Sequence, residues 1–278
     1  MSAELAASAT PRARTSPVTG SLPRFAGTRV VVKVGSSSVS GENAAQIPHL
    51  ADSLARLHRA GSEVILVSSG AISTGVPFLR LDARPDDLAT QQAAAAVGQN
   101  ILMNRYQRAL TVHEIIGGQV LLTASDMQQD SHRINAKRAI ERLLQLGILP
   151  IINENDTVAT HEIRFGDNDH LAALVARLIG AEQLVLLSDV DALYTAPPQN
   201  PGATRIRHVA YGDELSGVEI GATQSGWGTG GAATKVQAAR LAADAGTSVL
   251  LTETRLLHAV LDGEDHGTVF DPAPEPGA

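Results

Sequence analysis

The sequence contains no cysteine, which excludes a disulfide framework, a thiol nucleophile and a thiolate metal site. Aromatic residues make up only 3% of its 278 positions, too few for the stacking platforms that hold single-stranded nucleic acid. Basic residues are outnumbered: 22 Lys and Arg against 29 Asp and Glu give a net charge of −7. A broad basic face for nucleic acid or an anionic membrane is therefore not expected, although a local lysine cluster is compatible with it. No apolar run approaches the roughly 20 residues that a membrane-spanning helix needs. The first stretch, Met1 to Arg24, lacks the apolar segment of a secretory signal. The expectation is a cytoplasmic protein with no nucleic-acid and no membrane partner.

What the chain does contain is ordinary globular composition, 44% hydrophobic and 18% charged, at a length that can bury a large core. Residues 1–24 are rich in Ala, Ser, Thr, Pro and Arg. Glu4, Pro11, Pro17 and Pro23 oppose an amphipathic transit helix, so a disordered leader is expected there. Residues 271–278 hold three prolines and read as a C-terminal tail. One domain is expected over residues 25–270.

Within that domain, strand and helix signals alternate. Arg29 to Val34 is a β-branched run, followed by Ile47, Leu50, Leu54 and Leu57 at helical spacing, with Gly61 placed as a C-terminal cap. Further strands are expected at Val64–Val67, Gly118–Leu122, Ile148–Ile152, Leu184–Leu187 and Ser248–Leu251. Helices are expected at about Asp87–Val112, Ile134–Leu146, Leu171–Ile179 and Thr234–Ala245. Short apolar strands each followed by a helix imply crossover connections. The fold class is α/β, a three-layer αβα sandwich around a mostly parallel sheet.

Polar clusters follow these strands, where open parallel sheets bind their ligands. They are Lys33-Val-Gly-Ser-Ser-Ser38, Ser68-Ser-Gly-Ala71, Asn153-Glu-Asn-Asp156 and Ser188-Asp-Val-Asp191. Two more stand in connections, Gly166-Asp-Asn-Asp169 and the loop Gly226 to Lys235. That loop is not a Walker A motif, because Thr234 precedes Lys235 instead of following it, and no Gly-x-Gly-x-x-Gly follows the first strand. It remains a glycine loop feeding a helix N-terminus, where amides and the helix dipole favour an anion, or else a plain surface loop. Lys33, within Val-Val-Val-Lys-Val, either snorkels at a sheet end or faces a charged ligand, since a buried unpaired ammonium is costly. Asp167 and Asp169 flank Asn168 and could cap a helix; Asp156 could be a turn residue.

These clusters, in this order, resemble the amino acid kinase family and, within it, its glutamate 5-kinase branch. The matching segments are Val31–Ser36, Val67–Ile72, Ile152–Thr160, Phe165–Asp169, Leu186–Asp189 and Gly228–Gln237. The resemblance implies ATP-dependent phosphorylation of the L-glutamate side-chain carboxylate, with Mg²⁺, feedback inhibition by proline, and a homo-oligomer, dimer or tetramer. It assigns Ser69, Asp156 and Asn168 to glutamate, and Ser188, Asp189 and the loop Thr229, Gly230, Gly231, Ala232, Ala233, Thr234 and Lys235 to ATP. Lys33 and Lys235 would flank the transferring phosphoryl group, with Asp167 and Asp169 orienting these lysines or waters on Mg²⁺. Many members of this branch carry a C-terminal PUA-type domain, for which this chain leaves no room. Other expectations stay open: an acetylglutamate, aspartate or carbamate kinase, or a non-catalytic sensor of glutamate, proline or nucleotide.

Overall fold

The computed structural model describes residues 24–81, 83, 85–159, 168–216, 218 and 231–274. Asp167, Thr229, Gly230 and, apart from Arg24, the expected leader lie outside the described residues.

The chain enters the fold on β1 (Arg29–Val34), whose valines favour extended backbone because branching at Cβ restricts χ1. After a single turn, α1 (Ser36–Val39), comes α2 (Ile47–Arg59), which buries Ile47, Leu50, Leu54 and Leu57 on one face. Gly61 follows at φ +82°, the left-handed value that closes a helix at little cost for glycine. Next are β2 (Glu63–Ser68), the short α3 (Ala71–Gly75) and the long α4 (Leu88–Thr111). Asp87 caps α4, its carboxylate accepting from the Thr90 amide at 2.8 Å. Then follow β3 (Gly117–Leu122), α5 (Ala124–Gln128), α6 (Asp130–Gln145) and β4 (Leu149–Glu154). The second half holds α7 (Asn168–Ile179), β5 (Gln183–Ser188), β6 (Leu193–Tyr194), β7 (Arg205–Ile206) and β8 (His208–Val209). It continues through α8 (Ala232–Ala243), β9 (Ser248–Glu253), α9 (Leu257–Leu261) and β10 (Thr268–Phe270).

Eight strands form one sheet in the order β3-β4-β2-β1-β5-β9-β10-β8, while β6 and β7 pair separately. Every pair in the large sheet is parallel except β9 with β10. The expected mostly parallel α/β sandwich is therefore present, and its period-2 alternation sorts the core into two layers. Val30, Val32 and Val34 face α2, α4 and α9. Val31, Ile65, Leu184 and Leu186 face α6, α7 and α8. Lys33 follows the parity of Val31, so its side chain belongs to the α7–α8 face.

Two helices begin earlier than their apolar periodicity suggests. α6 opens at Asp130 and not near Ile134, because its first turn is polar and solvent-facing. α7 opens at Asn168 and not near Leu171, which puts Asp169 inside the first turn and not on the cap. Residues beyond Phe270 still bond to the domain: the Asp271 amide donates to Val209 O and the Ala273 amide to Ala243 O.

Candidate active site

Parallel register brings the polar strand ends level. Lys33 pairs with Val67 and Leu186, Val34 with Ser68 and Leu187, and Val67 with Ile152. Thus Lys33, Ser68, Asn153 and Ser188 lie at the same end of the sheet. Over this end run the first turns of α7 and α8, carrying Asp169 and Lys235.

Three charged side chains meet there. Lys33 Nζ lies 2.5 Å from one oxygen of Asp169, and Lys235 Nζ 2.9 Å from the other. Lys33 is 3% exposed, Lys235 7% and Asp169 0%. Burial alone pushes the Asp169 carboxyl up, but the ammonium groups of Lys33 and Lys235 outweigh it and hold it well below the usual carboxylate range. One buried carboxylate thus bridges two ammonium groups. Lys235 stands in the first turn of α8, the end where the macrodipole disfavours a cation, and Asp169 offsets that cost. Two lysines beside a helix N-terminus make a seat suited to an anion. Gly35 sits beside this seat, and a Cβ on it would come within 3.8 Å of Lys33 Nζ.

A neutral network extends from α7 to the end of β2. The Asn168 amide donates both to Ser68 O and to Asn153 Oδ1, each at 2.8 Å. With both protons directed inward, the group Asn168 can offer a ligand is its carbonyl oxygen. Asn153 in turn donates to Gln99 Oε1 on α4 at 2.8 Å. Ser69 is half-buried just beyond β2, its amide bonded to Val34 O at 3.0 Å. Gly70 follows at φ +102°, a backbone conformation that favours glycine, and a Cβ there would press on Val39 Cγ2 at 3.0 Å. Asp156 is half-buried in the turn after β4.

On the other side of β1, Ser188 ends β5 and donates to the exposed Asp189 carboxylate at 3.1 Å. Thr254, after β9, donates to Ser38 Oγ at 2.9 Å and leans on Ser188 O at 3.4 Å. This ties the β1, β5 and β9 ends together. Gly231 precedes α8 with no side-chain cap, and Thr234 donates back to Gly231 O at 2.9 Å. Ala232 is half-buried and Ala233 exposed.

Residues 28–253 match the model of the amino acid kinase family. The chain belongs to that family. Among curated amino acid kinases, the glutamate 5-kinase of Clavibacter michiganensis subsp. michiganensis is 68% identical over 244 residues, which are 88% of this chain and 94% of that one. The glutamate 5-kinase of Leifsonia xyli subsp. xyli is 67% identical over 248 residues, 89% and 92% of the two chains. That of Thermobifida fusca is 53% identical over 250 residues, covering 88% of this chain but 64% of its own longer one. A solved carbamate kinase from Giardia lamblia bound to AMP-PNP superposes with a TM-score of 0.65 at 16% identity, over 90% of this chain and all of that one, a likeness of fold.

For this amino acid kinase, the structure joins Lys33, Asp169 and Lys235 directly and sets Asn168 against the residue before Ser69. Sequence reading set Asn153 and Ser38 in polar clusters at this end of the sheet but gave their side chains no role, and it missed Gln99 and Thr254. Asn153 stood inside a motif already singled out, whereas Gln99 and Thr254 carry no local signal.

Proposed function

We infer that the chain transfers the terminal phosphoryl group of ATP to the side-chain carboxylate of L-glutamate, forming L-glutamyl 5-phosphate and ADP, the first step of proline biosynthesis. Relatives of 67 to 68% identity that bear the name glutamate 5-kinase support the choice of acceptor. One observation carries the chemistry: two lysines from opposite ends of the chain share the buried Asp169 carboxylate.

The acceptor needs no general base. A glutamate side chain ionises near pH 4.3, so at neutral pH it is already a nucleophile. The obstacle is repulsion between that carboxylate and a polyphosphate. Phosphoryl transfer is catalysed by positioning and by compensating charge. A carboxylate oxygen forms the new bond to the γ-phosphorus as the bond to the β–γ bridging oxygen breaks, and the electron pair leaves on ADP. Lys33 attends the transferring and β-side phosphates and Lys235 the leaving side, with Asp169 fixing both ammonium groups. Ser69, Asp156 and the carbonyl of Asn168 hold glutamate. Ser188, Asp189 and Thr229 to Lys235 hold ATP. Asp167, with Asp169, is assigned to orienting the lysines or waters on Mg²⁺.

Mg²⁺ supplies further charge compensation when bound. Among the described residues no group of three His, Asp or Glu side chains forms a cage for it, and both Asp169 oxygens face ammonium groups. A Mg²⁺ here would be a hard cation that keeps several waters and takes few protein ligands, and it would add positive charge at the phosphates. Proline, similar to glutamate in its ammonium and α-carboxylate, inhibits by overlapping the glutamate pocket. The assembly is a dimer or tetramer.

The test is ADP release with ATP, Mg²⁺ and one acceptor at a time: glutamate, aspartate, N-acetylglutamate or carbamate. Turnover with glutamate is expected, and proline inhibition that excess glutamate relieves. Robust turnover with aspartate or N-acetylglutamate and none with glutamate overturns the reading.

A further inference from the structure

Tyr106 lies on α4, 1% exposed, with Leu102 and Leu110 one turn away on either side in the same apolar core. Its hydroxyl nevertheless meets a polar atom, Ser68 Oγ at 2.8 Å. Ser68, equally buried at the end of β2, donates to the carbonyl of Ser69 at 2.8 Å. A serine hydroxyl has one proton. With that proton on Ser69 O, Ser68 Oγ accepts, and Tyr106 is the donor. Burial pushes the Tyr106 phenol far above its ordinary value, the Ser68 bond only partly opposing this, so the donor keeps its proton throughout the working range. The relay runs one way, from Tyr106 O–H to Ser68 O–H to Ser69 C=O, and each bond polarises the next.

The end of this relay matters because a peptide unit is planar. No cis bond occurs among the described residues, so holding the Ser69 carbonyl on one side fixes the Gly70 N–H on the other. Gly70 is the residue least able to hold that plane by itself, since glycine accepts many backbone conformations. The surroundings clamp the same turn from other directions. Asn168 donates to Ser68 O. α3 is pressed onto α4 so closely that a Cβ on Gly98 would lie 1.8 Å from Ala71 O, and one on Gly75 1.9 Å from Ala94 O. Thus α4 supports the turn twice, by backbone contact at Gly98 and by the hydroxyl of Tyr106.

We propose that Tyr106 is a positioning residue for the phosphoryl acceptor: through Ser68 it fixes the Ser69–Gly70 peptide plane, so that the Ser69 side chain and the Gly70 amide stand ready for the carboxylate of the amino acid. This rests on the reading of Ser69 as part of the glutamate site. Tyr106 touches no reacting atom, and its effect falls on acceptor binding, not on ATP.

The experiment is steady-state kinetics of the full chain as wild type, Tyr106→Phe, Ser68→Ala and the double variant. Tyr106→Phe keeps the ring and removes only the donor. Its expected effect is a glutamate KM raised about five- to twentyfold with the ATP KM within twofold of wild type. Ser68→Ala shows the same split, and the double variant is no worse than Ser68→Ala, because both changes cut one relay. A glutamate KM unchanged in Tyr106→Phe, an equal rise in both KM values, or multiplying effects in the double variant overturns the proposal. A wild-type chain active on glutamate beside an unaltered Tyr106→Phe defeats the role of Tyr106 alone. A wild-type chain inert toward glutamate defeats the functional reading and this role together.

Discussion

Asp169 is a fully buried carboxylate, and removing such a charge from water costs several kcal/mol that good partners must offset. Lys33 and Lys235 are those partners. Each is also one preorganised charge donor toward the phosphates, so Lys33→Ala and Lys235→Ala are each expected to lower kcat on the order of a hundredfold or more. Glutamate-dependent ADP release measures this, and a near-normal rate in either variant removes that lysine from the mechanism. The depressed ionisation of Asp169 has a definite sign in stability. Its contribution is fully present above the ordinary carboxylate range and is lost only as pH falls below that range toward the lower folded value. Thermal melts against pH are expected to show wild type and Asp169→Asn differing at neutral pH and converging only in strong acid. Convergence already near pH 6 contradicts the assignment. At this scale Lys33 was half legible: a lysine interrupting four valines stands out, but the sequence left open whether it snorkels at the sheet end or meets a charge. Asp169 was ambiguous with a helix cap, since the apolar period of α7 begins only at Leu171 while the helix begins at Asn168.

Among the elements, α4 is the one whose role the sequence concealed. Its Ala, Gln and Leu content announces a helix, and Asp87 marks the start, but the inward direction of Gln99 and Tyr106 depends on tertiary packing. The same holds for Gly98, which in a helix reads as a mere weakness. Alanine there gains about 1 kcal/mol in helix propensity, yet its Cβ would stand 1.8 Å from Ala71 O. Overpacking of this kind costs about 1–3 kcal/mol or more. Gly98→Ala is expected to lower the urea midpoint and raise the glutamate KM; a more stable variant means that α3 and α4 are not in tight contact. Short strands were the other silence. β8 and β10 are two and three residues long, too short for a period to register. The antiparallel β9–β10 pair was therefore invisible beside the longer parallel strands.

The whole molecule brings two buried lysines together at one sheet end while its net charge is −7, a placement that composition alone hides. β1, α7 and α8 are far apart in the chain, and it is the packing of α7 on both β1 and α8 that lets Asp169 meet Lys33 and Lys235. Among the described residues Phe25 is the first that is buried, and its carbonyl accepts from Ser62 Oγ. Removing residues 2–23 is accordingly expected to leave kcat and melting temperature essentially unchanged; a marked loss of either means that this segment contributes to the domain. The decisive measurement is kcat for glutamate-dependent ADP release by Asp169→Asn, which keeps the shape of the bridge between the lysines and deletes its charge. A folded variant slowed about a hundredfold or more bears out a site organised around that carboxylate, whereas a folded variant within about threefold of wild type contradicts it.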